Sequence, residues 1–206
     1  MNKKILTILL ALVLVLTCVS AFAEDAVSSA TVNITSVPAA GAHENAKVLV
    51  IYFSTDDTVK AVARTAAATM EADVFEIVPE QPYTDADLAY YTNCRADKEQ
   101  NDSSARPGIA AWPESLEQYN VIFIGYPIWH GQAPKVLYTL LEGVDVAGKT
   151  IVPFCTSASS GAGSSASNLE KITDGATWLK ARRIDNHSTA EQIQSWALTA
   201  LVETGK

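Results

Sequence analysis

Val121-Ile122-Phe123-Ile124-Gly125-Tyr126-Pro127-Ile128-Trp129-His130-Gly131-Gln132-Ala133-Pro134 is the stretch that decides the fold. It opens with a continuous β-branched and aromatic run, the pattern of a strand buried on both faces in a parallel sheet. It continues into a proline-bounded loop carrying an aromatic residue. Beyond it, residues 134–142 read as a helix, with Pro134 near the start and Gly143 after the end. Strand, loop and helix in this order form one unit of an α/β fold.

Working outward, the same unit recurs. Upstream, Val48-Leu49-Val50-Ile51-Tyr52-Phe53 is a second buried run, and the spacing of Val59, Val62, Ala63, Ala66, Ala67 and Met70 predicts an amphipathic helix over 58–70. A short strand follows at 73–78, closed by Pro79. Residues 80–118 are polar, tyrosine-bearing and weakly patterned, with room for a helix at 85–99. A connection of this length in a compact domain is often functional. Downstream, a fourth strand is expected at 149–155, a helix at 163–172, a fifth strand within 176–184 and a final amphipathic helix at 189–202. Parallel strands need right-handed crossovers. The economical solution is an α/β fold with a doubly wound five-stranded parallel sheet and helices on both faces, in three layers.

The N-terminus has a different character. Lys3 and Lys4 precede an apolar run from Ile5 to Val19, followed by Ala21-Phe22-Ala23. This is the layout of a secretory signal peptide (1–23), and it implies export. The apolar run is short for a membrane anchor. Thr17 before Cys18 suits lipidation poorly, so membrane contact is expected only if this segment is retained or lipidated. Residues 24–46 read as a flexible tether, and 47–206 as the domain.

Cleavage after Ala23 removes two lysines and leaves 13 basic residues against 23 acidic, a net charge of −10. Such a surface repels phosphate backbones and argues against nucleic-acid binding. It suits either solubility or a basic redox partner. With 48% hydrophobic residues the chain is not of disordered composition. Cys94 and Cys155 remain after cleavage, and the sequence leaves their pairing open. There is no C-x-x-C, and His43, His130 and His187 are scattered, so a zinc site has no support.

Ligands of open α/β sheets bind beyond the carboxyl ends of the strands, which selects three loops. In the first, Ser54-Thr55-Asp56-Asp57-Thr58, hydroxyls and helix N-terminal N–H groups suit a phosphate, although Thr55, Asp56 or Asp57 can equally cap the helix, and on this segment alone the cap reading prevails. In the second, Trp129 reads as a ligand wall rather than core. His130 reads as a surface residue or a donor to a ring oxygen, ahead of a general acid. In the third, Thr156-Ser157-Ala158-Ser159-Ser160-Gly161-Ala162-Gly163, small residues let backbone N–H groups approach a ligand.

These loops resemble those of the flavodoxin family, in its branch carrying G-Y-P-I-W-x-G-x-A-P (Gly125 to Pro134) and P-F-C-T-S-x-x-S-G (Pro153 to Gly161). The resemblance runs from about Lys47 to Leu201. It implies strand order 2-1-3-4-5 and flavin mononucleotide (FMN) as cofactor. Ser54, Thr55 and Thr58 would contact the phosphate. Pro127, Ile128, Trp129, His130 and Gly131 would line one side of the isoalloxazine ring, and Thr156, Ser157, Ala158, Ser159 and Gly161 its other edge. The first loop departs from the family's S-x-T-G-N-T by being one residue shorter, glycine-free and twice acidic. Two functions are expected. One is an exported FMN protein that transfers electrons to a redox partner or reduces small acceptors such as quinones. The other is a binding module that has lost tight FMN binding through its acidic loop.

Overall fold

The computed structural model describes residues 46–89 and 93–205. The expected signal peptide and all of the tether except Ala46 lie outside the described residues, as do residues 90–92 of the long connection. Strands β1 (Val48–Tyr52), β2 (Asp73–Glu76), β3 (Val121–Pro127), β4 (Thr150–Thr156) and β5 (Thr177–Trp178) form a parallel sheet in the order β2-β1-β3-β4-β5, and β6 (Arg182–Arg183) also pairs with β4. The expected order is the one found.

Period-two alternation along these strands divides the core into two. Leu49, Ile51, Ile122, Ile124, Tyr126, Ile151 and Cys155 face one side, where helix α3 (Lys135–Gly143) buries Val136, Leu137, Leu140 and Leu141 and helix α4 (Ser165–Glu170) buries Leu169. Val48, Val50, Tyr52, Val121, Phe123, Val152 and Phe154 face the other. There helix α1 (Asp57–Met70) supplies Val59, Val62, Ala63, Ala66 and Ala67, and helix α5 (Ala190–Glu203) supplies Ile193, Trp196, Ala197, Ala200 and Leu201. Strands with one apolar set per face need a helix layer on each face, and the three-layer sandwich follows.

Two expectations are corrected. The fifth strand is split into β5, beside Thr150 and Ile151, and β6, beside Phe154 and Cys155. The cause lies in β4. Leu179 N–H donates to Ile151 O and Ile184 N–H to Cys155 O, so the odd-numbered residues of β4 turn their polar groups toward the fifth strand. Pro153 has that parity and no N–H to offer, and the ladder opens opposite it. The helix expected at 85–99 is two separate pieces. A 3-10 turn at Asp85–Leu88 starts from a Thr84–Asp87 capping box, and helix α2 covers Arg95–Asn101. Asn93, with φ at +55°, cannot lie inside a right-handed helix.

The long connection is anchored. Glu80 N–H donates to Gly108 O and Ala110 N–H to Val78 O. The Arg106 guanidinium binds Glu142 of α3 through two contacts of 2.6 Å, which raises its own pKa and lowers that of the glutamate.

Candidate functional site

Strand register places the three loops at the carboxyl end of the sheet. Tyr52 of β1 lies beside Gly125 of β3, which lies beside Phe154 of β4, and Pro127 lies beside Thr156. Ser54, Pro127 and Thr156 therefore end their strands on the same side of the molecule. Further bonds tie the second loop to the third. Ile128 N–H donates to Thr156 O at 3.0 Å, Gln132 Nε2 to Ser164 Oγ at 3.1 Å, and Asn168 Nδ2 to Gln132 Oε1 at 2.7 Å.

The second loop is a tight hairpin. Trp129 and Gln132 exchange both backbone hydrogen bonds at 2.9 Å. His130 (φ +49°) and Gly131 (φ +75°) occupy the two central positions, the dihedral pattern of a type I′ turn. Gly131 tolerates that conformation freely, whereas His130 adopts it under external restraint. The restraint comes from α2. His130 Nε2 lies 2.6 Å from Oδ1 of the buried Asp97. Gln100 Nε2 donates to Trp129 O at 3.0 Å and to Ala133 O at 3.2 Å. Burial pushes the Asp97 carboxyl up, but the His130 ring and the N–H groups of Cys94 and Asn93 outweigh it and hold the group below its ordinary value.

Trp129 is half-buried. It packs edge-on against Phe53 at the end of β1 (5.5 Å between centroids) and Tyr83 of the long connection (5.0 Å). It is thus core on one side and surface on the other. Tyr83 is itself fixed, with Arg95 4.3 Å over its ring and its hydroxyl donating to Glu99. Burial and that carboxylate push its phenol far above its ordinary value.

The third loop is held from beneath by Arg183 of β6, whose Nε donates to Ser157 Oγ (3.1 Å) and whose Nη2 donates to Ser157 O (3.0 Å). The Ser157 hydroxyl donates to Ser160 O, so both functions of that hydroxyl are engaged. Ala158, Ser159, Ser160 and Gly161 are exposed, and their N–H groups have no acceptor among the described residues. A Cβ placed on Gly161 or on Gly131 would meet nothing within 4 Å. Open space beside a row of unclaimed donors fits the carbonyl oxygens and nitrogens of a flavin ring edge.

The first loop offers less. Asp56 is the N-cap of α1, and its Oδ1 accepts Thr58 N–H at 2.9 Å. Ser54 Oγ donates to Asp56 O. Thr55, Asp56 and Asp57 are exposed. Of the expected phosphate donors, the Ser54 hydroxyl and the Thr58 N–H are bonded within the loop. Cys155, beneath the site, is fully buried and its thiol is pushed up to about 11 by burial, against the opposing influence of Arg183. Both it and Cys94 are free. A cavity of about 1200 Å³ lies beside α5 and β6, lined by Leu179, Arg182, Arg183, His187 and Trp196 among others.

Asp97, Gln100 and Arg183 were not legible as site residues. All three act on partners many positions away in sequence, and no local motif marks them.

A family model described as Flavodoxin matches residues 47–200. A protein assigned as a flavoprotein from Bacteroides eggerthii is 39% identical, with 76% of this chain and 99% of that chain covered and a TM-score of 0.70. A second, from Bacteroides uniformis, is 35% identical over 74% of this chain and 98% of that one, also with a TM-score of 0.70. A Lactobacillus acidophilus flavoprotein in complex with FMN shares the fold at 22% identity, 67% and 93% coverage and a TM-score of 0.57. No curated protein matches. With the sheet order of that fold and a family model matching nearly the whole of its described part, the chain belongs to the flavodoxin family.

Proposed function

We propose that this protein is an exported FMN-binding redox protein that passes electrons to a partner protein or to a small acceptor such as a quinone. The observation that carries the flavin reading is the row of exposed, unclaimed N–H groups at Ala158 to Gly161, beside the open space at Gly161 and at the same end of the sheet as Trp129. A bound flavin supplies the redox chemistry, and the chain supplies binding and electrostatics. Here the third loop holds the ring edge through its backbone. Trp129, steadied by Phe53 and Tyr83, gives it a half-buried aromatic neighbour. The Asp97–His130 pair holds the hairpin turn, and with it the orientation of the second loop. The Lactobacillus acidophilus relative in complex with FMN supports the choice of cofactor.

Gly161→Ala tests this reading. Because a Cβ there meets open space, the variant folds as the parent does, and the added methyl enters the space assigned to the ring. Titration with FMN, followed by flavin fluorescence, should show saturable binding at micromolar FMN and a loss of about tenfold in the variant, or about 1.4 kcal/mol. No saturable binding in the parent refutes the reading. Export rests on the signal-peptide pattern, and the exported protein should begin at Glu24 by mass spectrometry.

The second function, a module without tight FMN binding, is favoured by one observation: Asp56 occupies a donor of the first loop.

A further inference from the structure

The two ends of the proposed flavin site differ in chemistry. At the ring end, donors are unclaimed and space is open. At the phosphate end, a carboxylate of the chain already engages one backbone donor. Asp56 Oδ1 accepts the Thr58 N–H at 2.9 Å, and the Ser54 hydroxyl closes the loop onto Asp56 O. Asp57 adds a second exposed acid in the first turn of α1. The two cations of that helix do not compensate. Lys60 Nζ is 3.7 Å and Arg64 Nη2 3.9 Å from Glu76, on the neighbouring strand β2. A phosphate brought to this loop meets two engaged donors and two negative charges, and like charges a few ångströms apart repel. The N-cap role fixes Asp56 in place, because releasing it would leave the Thr58 N–H without its partner.

We propose that Asp56 is a specificity-determining residue, and that the site recognises flavin by its ring alone, taking phosphate-free flavin of the riboflavin class at least as well as FMN. The inference rests on the flavin reading above and reconciles it with the first loop. The phosphate of FMN remains in solvent and contributes no affinity. The repulsion is between exposed charges, so salt screens it. FMN affinity therefore rises with ionic strength, and riboflavin affinity does not.

The test is a paired titration of the full chain with riboflavin and with FMN, at low and at physiological salt. The expected result is a riboflavin dissociation constant equal to or below that of FMN, with the FMN value improving as salt is added. Asp56→Ser removes the charge and keeps an N-cap of equal rank, so the preference for FMN over riboflavin should rise about tenfold. Asp56→Asn is the second variant, should the first fail to fold by circular dichroism. FMN binding ten times tighter than riboflavin in the parent overturns the inference and leaves the flavin reading standing. An unchanged preference in both variants also overturns it. Saturation by neither flavin overturns the flavin reading, and the inference with it.

Discussion

Gly125 carries the second loop at the end of β3, and adding one methyl group there should be costly. A Cβ on Gly125 would lie 2.2, 2.5 and 2.8 Å from Cζ, Cε2 and Cε1 of Phe154, its register partner on β4. Carbon atoms rest at about 3.5–4.0 Å, so the ring must retreat by more than an ångström. It has little room. Phe154 is fully buried, with the Trp196 ring 5.2 Å away, and Trp196 is in turn 5.9 Å from Phe123. Overpacking of this kind costs about 1–3 kcal/mol, and a ring enclosed by other rings belongs at the upper end. Gly125→Ala should therefore lose about 3 kcal/mol in urea unfolding followed by tryptophan fluorescence, with an unchanged m-value. At about 2–4 °C per kcal/mol for a domain of this size, Tm falls by about 6–12 °C. Phe154→Leu in the same chain removes the clash, so the double variant should show a favourable coupling of at least about 1 kcal/mol. A loss within about 0.5 kcal/mol of zero, or strict additivity with Phe154→Leu, refutes the packing argument.

Cys155, with its thiol pushed up to about 11, should resist iodoacetamide at pH 8 in the native protein and react once urea unfolds it. Labelling by mass spectrometry at native conditions would contradict its burial. Because its folded value lies above the ordinary one, its contribution to stability is whole below about pH 9 and is lost as pH rises toward 11. The Asp97 carboxyl has the opposite sign. It is held below its ordinary value, so its contribution is present above about pH 4 and is lost as pH falls through the depressed value. Asp97→Asn should flatten the acid limb of a stability–pH curve, and an unchanged limb would show that the contact with His130 carries no stabilisation.

What the sequence made legible is what local chemistry determines. Buried β-branched runs between amphipathic segments are enough for strands and right-handed crossovers, whereas the sheet order followed from the family resemblance. That the three loops lie together was also legible, since parallel strands end on one side of the sheet. Asp56 as a cap was legible too, being two residues from the N–H it accepts. The rest depends on contacts that no short window contains. Gln100 reaches Trp129 across 29 positions, and Arg183 reaches Ser157 across 26. Neither shows a pattern beyond that of an ordinary polar surface residue. The split fifth strand lies between these cases. Its cause, Pro153, is visible in the sequence, but its effect depends on the side to which that residue's missing N–H would have pointed, and only the register with β3 and the fifth strand decides that.

The same distinction bears on the site. The motifs after β3 and β4 are long and local, and the proposed flavin reading rests on them. The shortened loop after β1 is equally local, yet its meaning turned on whether the acids face a ligand or their own helix. Asp56 faces its own helix. A carboxylate that completes a helix end is retained for stability whether or not a phosphate ever arrives, since an alanine there would cost about 1 kcal/mol. On the proposed reading, the cap and the weak hold on phosphate therefore have one cause, and a neutral cap at position 56 rather than deletion of the cap should strengthen phosphate recognition.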